Sequence, residues 1–354
     1  MRAAIKSFSF SLLDASGAPA LALALQRRRG FIALYHGVAP YLPNYGIYNY
    51  RKKFILPESF RRHLLWLRRR FEIIPLSTLI ERLSRQEKLS RRYLAITFDD
   101  GYENVYRHAF PLLKELRIPA TVFITTDLVE KRLPLWTDRL EYALGQTKTR
   151  QLEIAIRDQT HYFNLGSYLE RTTTDIYLRN HLKKIPDAER KILLEEVESR
   201  SGITLIPTLA TSPYRGLTWD QVREMEKNKV EFAPHTTSHP ILSRMPPERA
   251  EKEITESYDL LKKRVGKPLP IFAYPNGQPD DFSETTAAIL QRHGFQAALT
   301  TTPGTLSQES NLFALPRFSL DGSDDLRFFR LTISGVRKKL QDIKKLGMEK
   351  IQRE

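Results

Sequence analysis

The 354 residues suffice for one large α/β domain with insertions or for two ordinary domains, and 41% hydrophobic with 27% charged content is that of a soluble globular chain. Without cysteine there is neither a disulfide framework nor a thiolate metal site. The formal charge of +15 points to an anionic partner, namely phospholipid headgroups, an acidic or phosphate-bearing glycan or nucleic acid, or else to a solvated basic surface.

Residues 1–30 carry Arg2, Lys6, an apolar stretch and then Gln26-Arg-Arg-Arg29. Asp14 interrupts what would be the apolar centre of a secretory signal, and Gly17 and Pro19 break the stretch beyond it. No run of about 18 uncharged apolar residues occurs, so no spanning helix is predicted. The expectation is a cytoplasmic chain, with Leu21 to Leu25 beside three arginines as a segment suited to lie peripherally on the inner face of the membrane.

Phe31 to His36 reads as a first buried strand ending in His36-Gly37, and Lys53 to Phe71 as a helix by its apolar period. Phe71–Leu76 is a second short strand and Ser77–Leu83 a short helix. Tyr93–Phe98 is a third strand followed by the helix Tyr106–Leu116, and Ala120–Thr126 a fourth strand. From 131 to about 215 the rhythm breaks: a hairpin around Arg157 to Gln159, then helices near Tyr168–Lys184 and Ala188–Arg200, read as an insertion that walls one side of a cleft. Thr218 and Gln221 have capping-box spacing, which gives Asp220 a structural role. Strands at Val230–Ala233, Ile271–Tyr274 and Gln296–Thr300 then alternate with helices at Glu248–Val265 and Glu284–His293, Phe313–Leu320 is a further extended piece, and Asp324–Glu354 is a basic helical tail. The fold predicted is α/β: a distorted (β/α) barrel of about seven parallel strands over 31–320, between an N-terminal extension and a C-terminal helical segment 321–354.

Two strand ends carry chemistry. Thr97-Phe-Asp-Asp-Gly101 closes the third strand with adjacent carboxylates, which would face opposite ways in mid-strand but can both reach a barrel mouth where Gly101 allows a sharp turn. His235-Thr-Thr-Ser-His239 places two imidazoles four apart, on one face if the segment is a helical turn. Two histidines and one aspartate make three protein ligands with a position left open, as in a catalytic metal site. Nitrogen ligands with one carboxylate suit zinc.

Together with Phe272-Ala-Tyr-Pro-Asn-Gly277, these segments resemble the first three motifs of the polysaccharide deacetylases, carbohydrate esterase family four. The resemblance implies a distorted (β/α) barrel binding a divalent metal, usually zinc, that removes N-acetyl groups from amino sugars. It assigns Asp100, His235 and His239 as metal ligands, Asp99 as general base, and the backbone amide of Asn276, in the motif with Tyr274, as oxyanion donor. Tyr102, Asn104, Trp136 and Asp138 are candidates for the sugar side of the site. Ala273 stands where many members carry the arginine that orients the base, and the late motif ending in a histidine is missing: Asn311–Asp321 offers Arg317 but no histidine. Leu34-Tyr-His-Gly37 resembles a branch, found among biofilm poly-N-acetylglucosamine deacetylases, in which that strand sits at the N-terminus; this nominates His36 as general acid. The expected substrate is an N-acetylated sugar of a polysaccharide or lipid-linked precursor. The rivals are a deformylase or O-acetyl esterase on a nucleotide- or lipid-linked sugar, and an inactive carbohydrate-binding or membrane scaffold. No nucleic-acid recognition motif accompanies the charge, so no nucleic-acid partner is expected.

Overall fold

The computed structural model of the chain describes residues 10–42, 45–157, 159–203 and 213–351. Arg2, Lys6, Asp158 in the hairpin turn, segment 204–212 of the insertion and residues 352–354 lie outside the described residues.

Seven parallel strands wall a (β/α) barrel: β1 (Gly30–Tyr35), β2 (Tyr93–Phe98), β3 (Ala120–Ile124), β4 (Val230–Pro234), β5 (Ile271–Ala273), β6 (Ala297–Leu299) and β7 (Phe318–Ser319). A continuous ladder runs β7-β1-β2-β3-β4, and β5 pairs with β6. Thin seams complete the ring: the Leu269 amide donates to the Phe232 carbonyl at 2.8 Å, and the Leu315 amide to the Ala298 carbonyl at 2.9 Å. The short strand Glu72–Ile73 shares one edge of β2 with β3, pairing at Tyr93 and Leu94 while β3 pairs at Thr97 and Phe98.

Parallel strands with both faces covered must be apolar on both, and these are. On β2, Tyr93 and Ala95 point into the barrel with Ile32, Phe123, Ala233, Ala273 and Leu299. Leu94, Ile96 and Phe98 point outward, against Phe60 and Leu64 of the helix Pro57–Arg68 and Leu113 of the helix Phe110–Leu116. This parity decides which strand-end residues face the barrel mouth. His36 continues the inward row from Ile32, Asp99 the row from Tyr93 and Ala95, and His235 the row from Ala233.

Several predicted elements change in form. The helix expected over Lys53–Phe71 is confined to Pro57–Arg68, because Pro57 fixes its first turn and Phe54–Ile55 is instead extended and paired with Gly37–Val38. The segment after Tyr102 begins as a π-helical turn, Val105–Ala109, before the α-helix Phe110–Leu116, with Pro111 at the junction. Phe313–Leu320 is a short 3₁₀ turn followed by two-residue β7. The tail is two helices, Leu326–Ile333 and Val336–Ile351, divided at Gly335 with φ of 77°. In the insertion, Gln151–Ile156 and Gln159–Asn164 form an antiparallel hairpin. It packs with the helices Trp136–Gln146, Tyr168–Leu182 and Asp187–Arg200 around Leu140, Leu144, Ile154, Leu178 and Leu194. Among the described residues no helix is long and apolar enough to cross a membrane.

One buried histidine makes the fold pH-sensitive. His63 stacks on Phe329 with ring centroids 3.8 Å apart, and its Nε2 has no hydrogen-bond partner among the described residues. Burial, then Arg62, pushes its pKa from 6.5 down to about 3. Between those values the unfolded chain takes up a proton that the folded one refuses, so stability falls as pH drops through that window. Denaturant unfolding at pH 7 and pH 4.5 should show the wild type losing about 2–3 kcal/mol more than His63→Leu. Equal losses would remove His63 from the acid response.

Candidate active site

Asp99 and Asp100 reach the same place by different routes. Asp99 points inward by strand parity, whereas Asp100 by the same parity would face the helices. A tight turn reverses it: Asp100 has φ of 76°, Gly101 has φ of 87°, and the Gly101 amide donates to the Asp99 carbonyl at 3.0 Å. That is a γ-turn with its strained positive-φ centre on a non-glycine residue, costing about 1–3 kcal/mol. The strain turns the Asp100 carboxylate back over the barrel mouth.

The two histidines are brought together by a loop, not by the helical turn expected from their spacing. His235 follows β4 directly, and Thr236 and His239 take φ of 67° and 59°. The Glu253 carboxylate accepts the Thr237 and Ser238 amides, each at 2.9 Å, and Thr236 Oγ1 accepts the His239 amide at 3.0 Å. Trp136 Nε1 donates to the His239 carbonyl at 3.2 Å. His235 Nδ1 lies 2.7 Å from the Ala273 carbonyl, which makes Nδ1 the donor and leaves the Nε2 lone pair available to a metal.

His235 Nε2 and His239 Nε2 stand 3.5 Å and 3.4 Å from Asp100 Oδ1. Two bonds of ~2.0–2.1 Å at a tetrahedral angle place their outer atoms ~3.3–3.4 Å apart, so this spacing suits a small divalent ion better than direct hydrogen bonds. Asp100 Oδ1 is buried with no hydrogen-bond partner among the described residues. Burial opposes the Asp100 charge, but His235, His239 and His36 hold its pKa well below the usual carboxylate range. Burial pushes His239 down to about 3, keeping it neutral as a ligand must be. Among the described residues Asp100, His235 and His239 are the set whose ligand atoms all lie within 4.8 Å of one another, and they fit a divalent cation.

Asp99 is held by a residue that sequence reasoning passed over. Arg317, fully buried on the strand segment leading into β7, donates two hydrogen bonds of 2.7 Å to its two carboxylate oxygens. Burial alone would raise the Asp99 pKa; Arg317 outweighs it, and the net shift is downward. The arginine sought at Ala273 is thus supplied from another strand. The signal was a lone arginine within Leu315-Pro-Arg-Phe-Ser-Leu320, a charge that cannot be buried in such a run without a partner.

Register places the other polar pair. β1 lies between β7 and β2, with Leu34 opposite Ser319 and Tyr35 opposite Phe98. Two steps past Ser319 is Asp321 and one past Phe98 is Asp99, so His36 emerges between them. His36 Nδ1 and Asp321 Oδ2 are 2.5 Å apart. Burial disfavours charge on His36, but Asp321 outweighs it and its pKa is pushed up to about 9. Asp321, a strand-end carboxylate, was not singled out from the sequence.

Asn276 lies at the mouth on a second γ-turn, with φ of 60° and the Gly277 amide donating to the Pro275 carbonyl at 2.7 Å. Among the described residues nothing accepts its own backbone N–H, while its side chain joins Asp281 and, at 2.5 Å, Lys183 of the insertion. Three candidates, Tyr274, Tyr102 and Asn104, do not line the mouth. Tyr274 points outward by strand parity into the cluster with Phe272 and stacks on Phe282, its hydroxyl donating to the Phe313 carbonyl. Tyr102 is sealed beneath the mouth, donating to Asp138 at 2.5 Å and accepting from Lys53. Asn104 faces Val38, whose amide it accepts at 3.3 Å, and a Cβ on Gly37 would lie 2.1 Å from its Oδ1. Trp136 does line the mouth, though only 6% exposed: its Nε1 holds the His239 loop and its ring carries the Arg190 guanidinium at 4.9 Å. The mouth is a cavity of about 740 Å³ lined by His36, Asp99, Asp100, His235, His239 and Asn276, with Asp138 and residues of the insertion.

A barrel whose strand ends gather a three-ligand cation cradle, a salt-bridged carboxylate and a carboxylate-bound imidazole has the frame of a hydrolase acting through an activated water. A family profile described as "Polysaccharide deacetylase" matches residues 86–298. The chain belongs to the polysaccharide deacetylase family. YxkH of Bacillus subtilis (strain 168), named for the same family, is 21% identical over 261 residues, 73% of this chain and 63% of its own length. The poly-beta-1,6-N-acetyl-D-glucosamine N-deacetylase of Staphylococcus epidermidis is 22% identical over 188 residues, 50% of this chain and 60% of its own length. The alignments thus span less than two thirds of these curated relatives. The Streptococcus pyogenes deacetylase PplD, solved with acetate, shares the fold with a TM-score of 0.57 at 19% identity, over 87% of this chain and 99% of that one.

Purified protein should carry one divalent ion per chain, and His235→Ala with His239→Ala should empty the site while the barrel still unfolds cooperatively. Elemental analysis beside a thermal melt decides this; full occupancy in the folded double variant would refute the cradle.

Proposed function

We propose that this chain is a zinc-dependent deacetylase that removes N-acetyl groups from amino sugars of a polysaccharide or its lipid-linked precursor. The observation that carries the reading is the buried Arg317–Asp99 pair set beside the Asp100–His235–His239 cradle in one cavity. A binding module has no need of a carboxylate held ionised next to a cation site. The likeness to the staphylococcal N-deacetylase supports the amide of an amino sugar as the bond attacked.

Bound in the cradle, the metal would supply Lewis acidity toward a water and toward the substrate carbonyl. Asp99, kept ionised by Arg317, takes the proton from the attacking water. The N–H of Asn276, which has no acceptor among the described residues, would meet the oxygen on which negative charge develops, with the γ-turn fixing that donor in advance. An amine leaves poorly unless protonated. His36, kept protonated at neutral pH by Asp321, stands on the neighbouring strand to donate that proton.

Mass spectrometry of N-acetylated oligosaccharides incubated with metal-loaded protein should show acetyl loss with release of free amines. Untouched N-acetyl sugars, with formyl or O-acetyl groups released from N-formyl or O-acetyl sugars assayed in parallel, would transfer the protein to the rival hydrolase classes. Within the active enzyme, Asp321→Asn should lower the His36 pKa, so that the alkaline limb of the kcat profile moves to lower pH. His36→Ala should keep its metal, lose most turnover and lose that limb. A normally pH-dependent, active His36→Ala enzyme would leave the acid elsewhere.

A further inference from the structure

Three cations that line the cavity have no carboxylate partner of their own among the described residues. Each acid that lines it is already engaged. Asp99 is bonded to Arg317 and Asp321 to His36. Asp138 is bonded to Lys53 and Tyr102, Glu141 to Tyr214, and Asp100 faces the two imidazoles. The lining cations are not matched in the same way. Lys53 is bound by Asp138, and Arg179 by a two-oxygen pairing with Asp175 at 2.8 Å and 2.8 Å. Arg51, Lys183 and Arg337 line the same cavity, and among the described residues none of the three has a carboxylate within salt-bridge distance.

Contacts hold Lys183 and Arg337 in place, and Arg51, itself exposed, is positioned through its loop. Lys183 caps the helix Tyr168–Leu182 one turn beyond Arg179, so the insertion presents both to the cavity. Its ammonium is fixed 2.5 Å from Asn276 Oδ1, beside the turn that carries the free amide. Arg51 adjoins Tyr50, whose hydroxyl donates to Asp175 at 2.5 Å, which ties that loop to the same helix. On another part of the wall, Arg337 stands in the first turn of the last helix with its guanidinium carbon 4.2 Å from the centre of the Phe328 ring. Like charges gathered around a site that also receives a divalent cation repel one another. At Lys183 burial, then Arg51 and Arg179, pushes the pKa down to about 8 against the opposing pull of Asp281 and Asp175. An incoming anion would relieve that repulsion, and a neutral sugar would not.

We propose that the cavity contains an anion subsite, formed by Arg51 and Lys183, and that the amino-sugar substrate carries a phosphoryl or carboxylate group. This rests on the deacetylase reading for the word substrate and on the cavity alone for the subsite. Guanidinium forks and an ammonium suit both kinds of anion. The arrangement makes the insertion a specificity element, because it supplies Lys183 and anchors the Arg51 loop.

The test has a binding arm and a turnover arm, both on the full chain with metal. Calorimetric titration with inorganic phosphate should give an affinity that falls ~10-fold or more in Arg51→Gln/Lys183→Met, and Lys183→Arg should retain most of it. Unchanged affinity in the folded double variant would mean that the ion alone holds phosphate, and would overturn the subsite. In the turnover arm, a neutral N-acetylated disaccharide is compared with the same sugar bearing a phosphoryl group or a uronate. Wild-type kcat/KM should favour one anionic form, which identifies the anion, and the double variant should lose that preference by ~10-fold. Equal turnover of all three by the wild type would overturn the proposal while sustaining the deacetylase. A phosphate affinity lost in the variant, with no sugar deacetylated, would sustain the subsite and reject the deacetylase.

Discussion

A carboxylate sealed at a barrel mouth stays charged only if something there offsets its lost hydration, and for Asp99 that is Arg317. Neither partner is more than marginally exposed, and the two-oxygen geometry fixes the carboxylate's plane as well as its charge. Removing one member of such a buried pair typically costs about 3–5 kcal/mol, so the pair serves the fold and the site together. It also joins β2 to the segment entering β7 across the barrel interior. Arg317 also donates to the Thr300 carbonyl and Thr97 Oγ1, so the guanidinium that grips Asp99 is itself held in place.

Strand register does the rest of the placement. β7, β1 and β2 lie side by side, and one or two steps beyond their last pairs deliver Asp321, His36 and Asp99 in a row. Two γ-turns, at Asp100 and Asn276, then supply what strand parity cannot: a second carboxylate facing inward and an amide without an internal acceptor among the described residues. The family profile spans 86–298, so His36 lies before the matched segment and Arg317 and Asp321 after it. The barrel brings those outlying pieces to the matched core.

Much of this was legible in the residues. The apolar runs of β1 to β4 and the strand-end positions of Asp99, Asp100, His235 and His36 come from local pattern alone. What local pattern could not supply was contact between distant strands. Ala273 looked like a missing arginine because a strand offers one side chain per position; only the closed ring shows that Arg317 arrives from the other side. Tyr274 neighbours Asn276 in the chain, which suggests a place beside substrate, yet the alternation that sends Ala273 inward sends Tyr274 outward. The His235–His239 spacing fits a helical turn as well as a loop, and Glu253 and Thr236 decide for the loop by binding its amides. The net charge was legible as a number but not as a distribution. Arg28, Arg29 and Lys88 line a separate hollow near the beginnings of β1 and β2, while Arg51, Lys183 and Arg337 face the site.

The two adjacent aspartates are proposed to have different tasks, one holding a proton in transit and the other a metal. Metal content and turnover of Asp99→Asn and Asp100→Asn, measured side by side on folded protein, test it most directly. Asp99→Asn should retain wild-type metal and lose most of its kcat, whereas Asp100→Asn should lose the metal itself. An Asp99→Asn protein without metal, or an Asp100→Asn protein with full occupancy, would contradict the assignment.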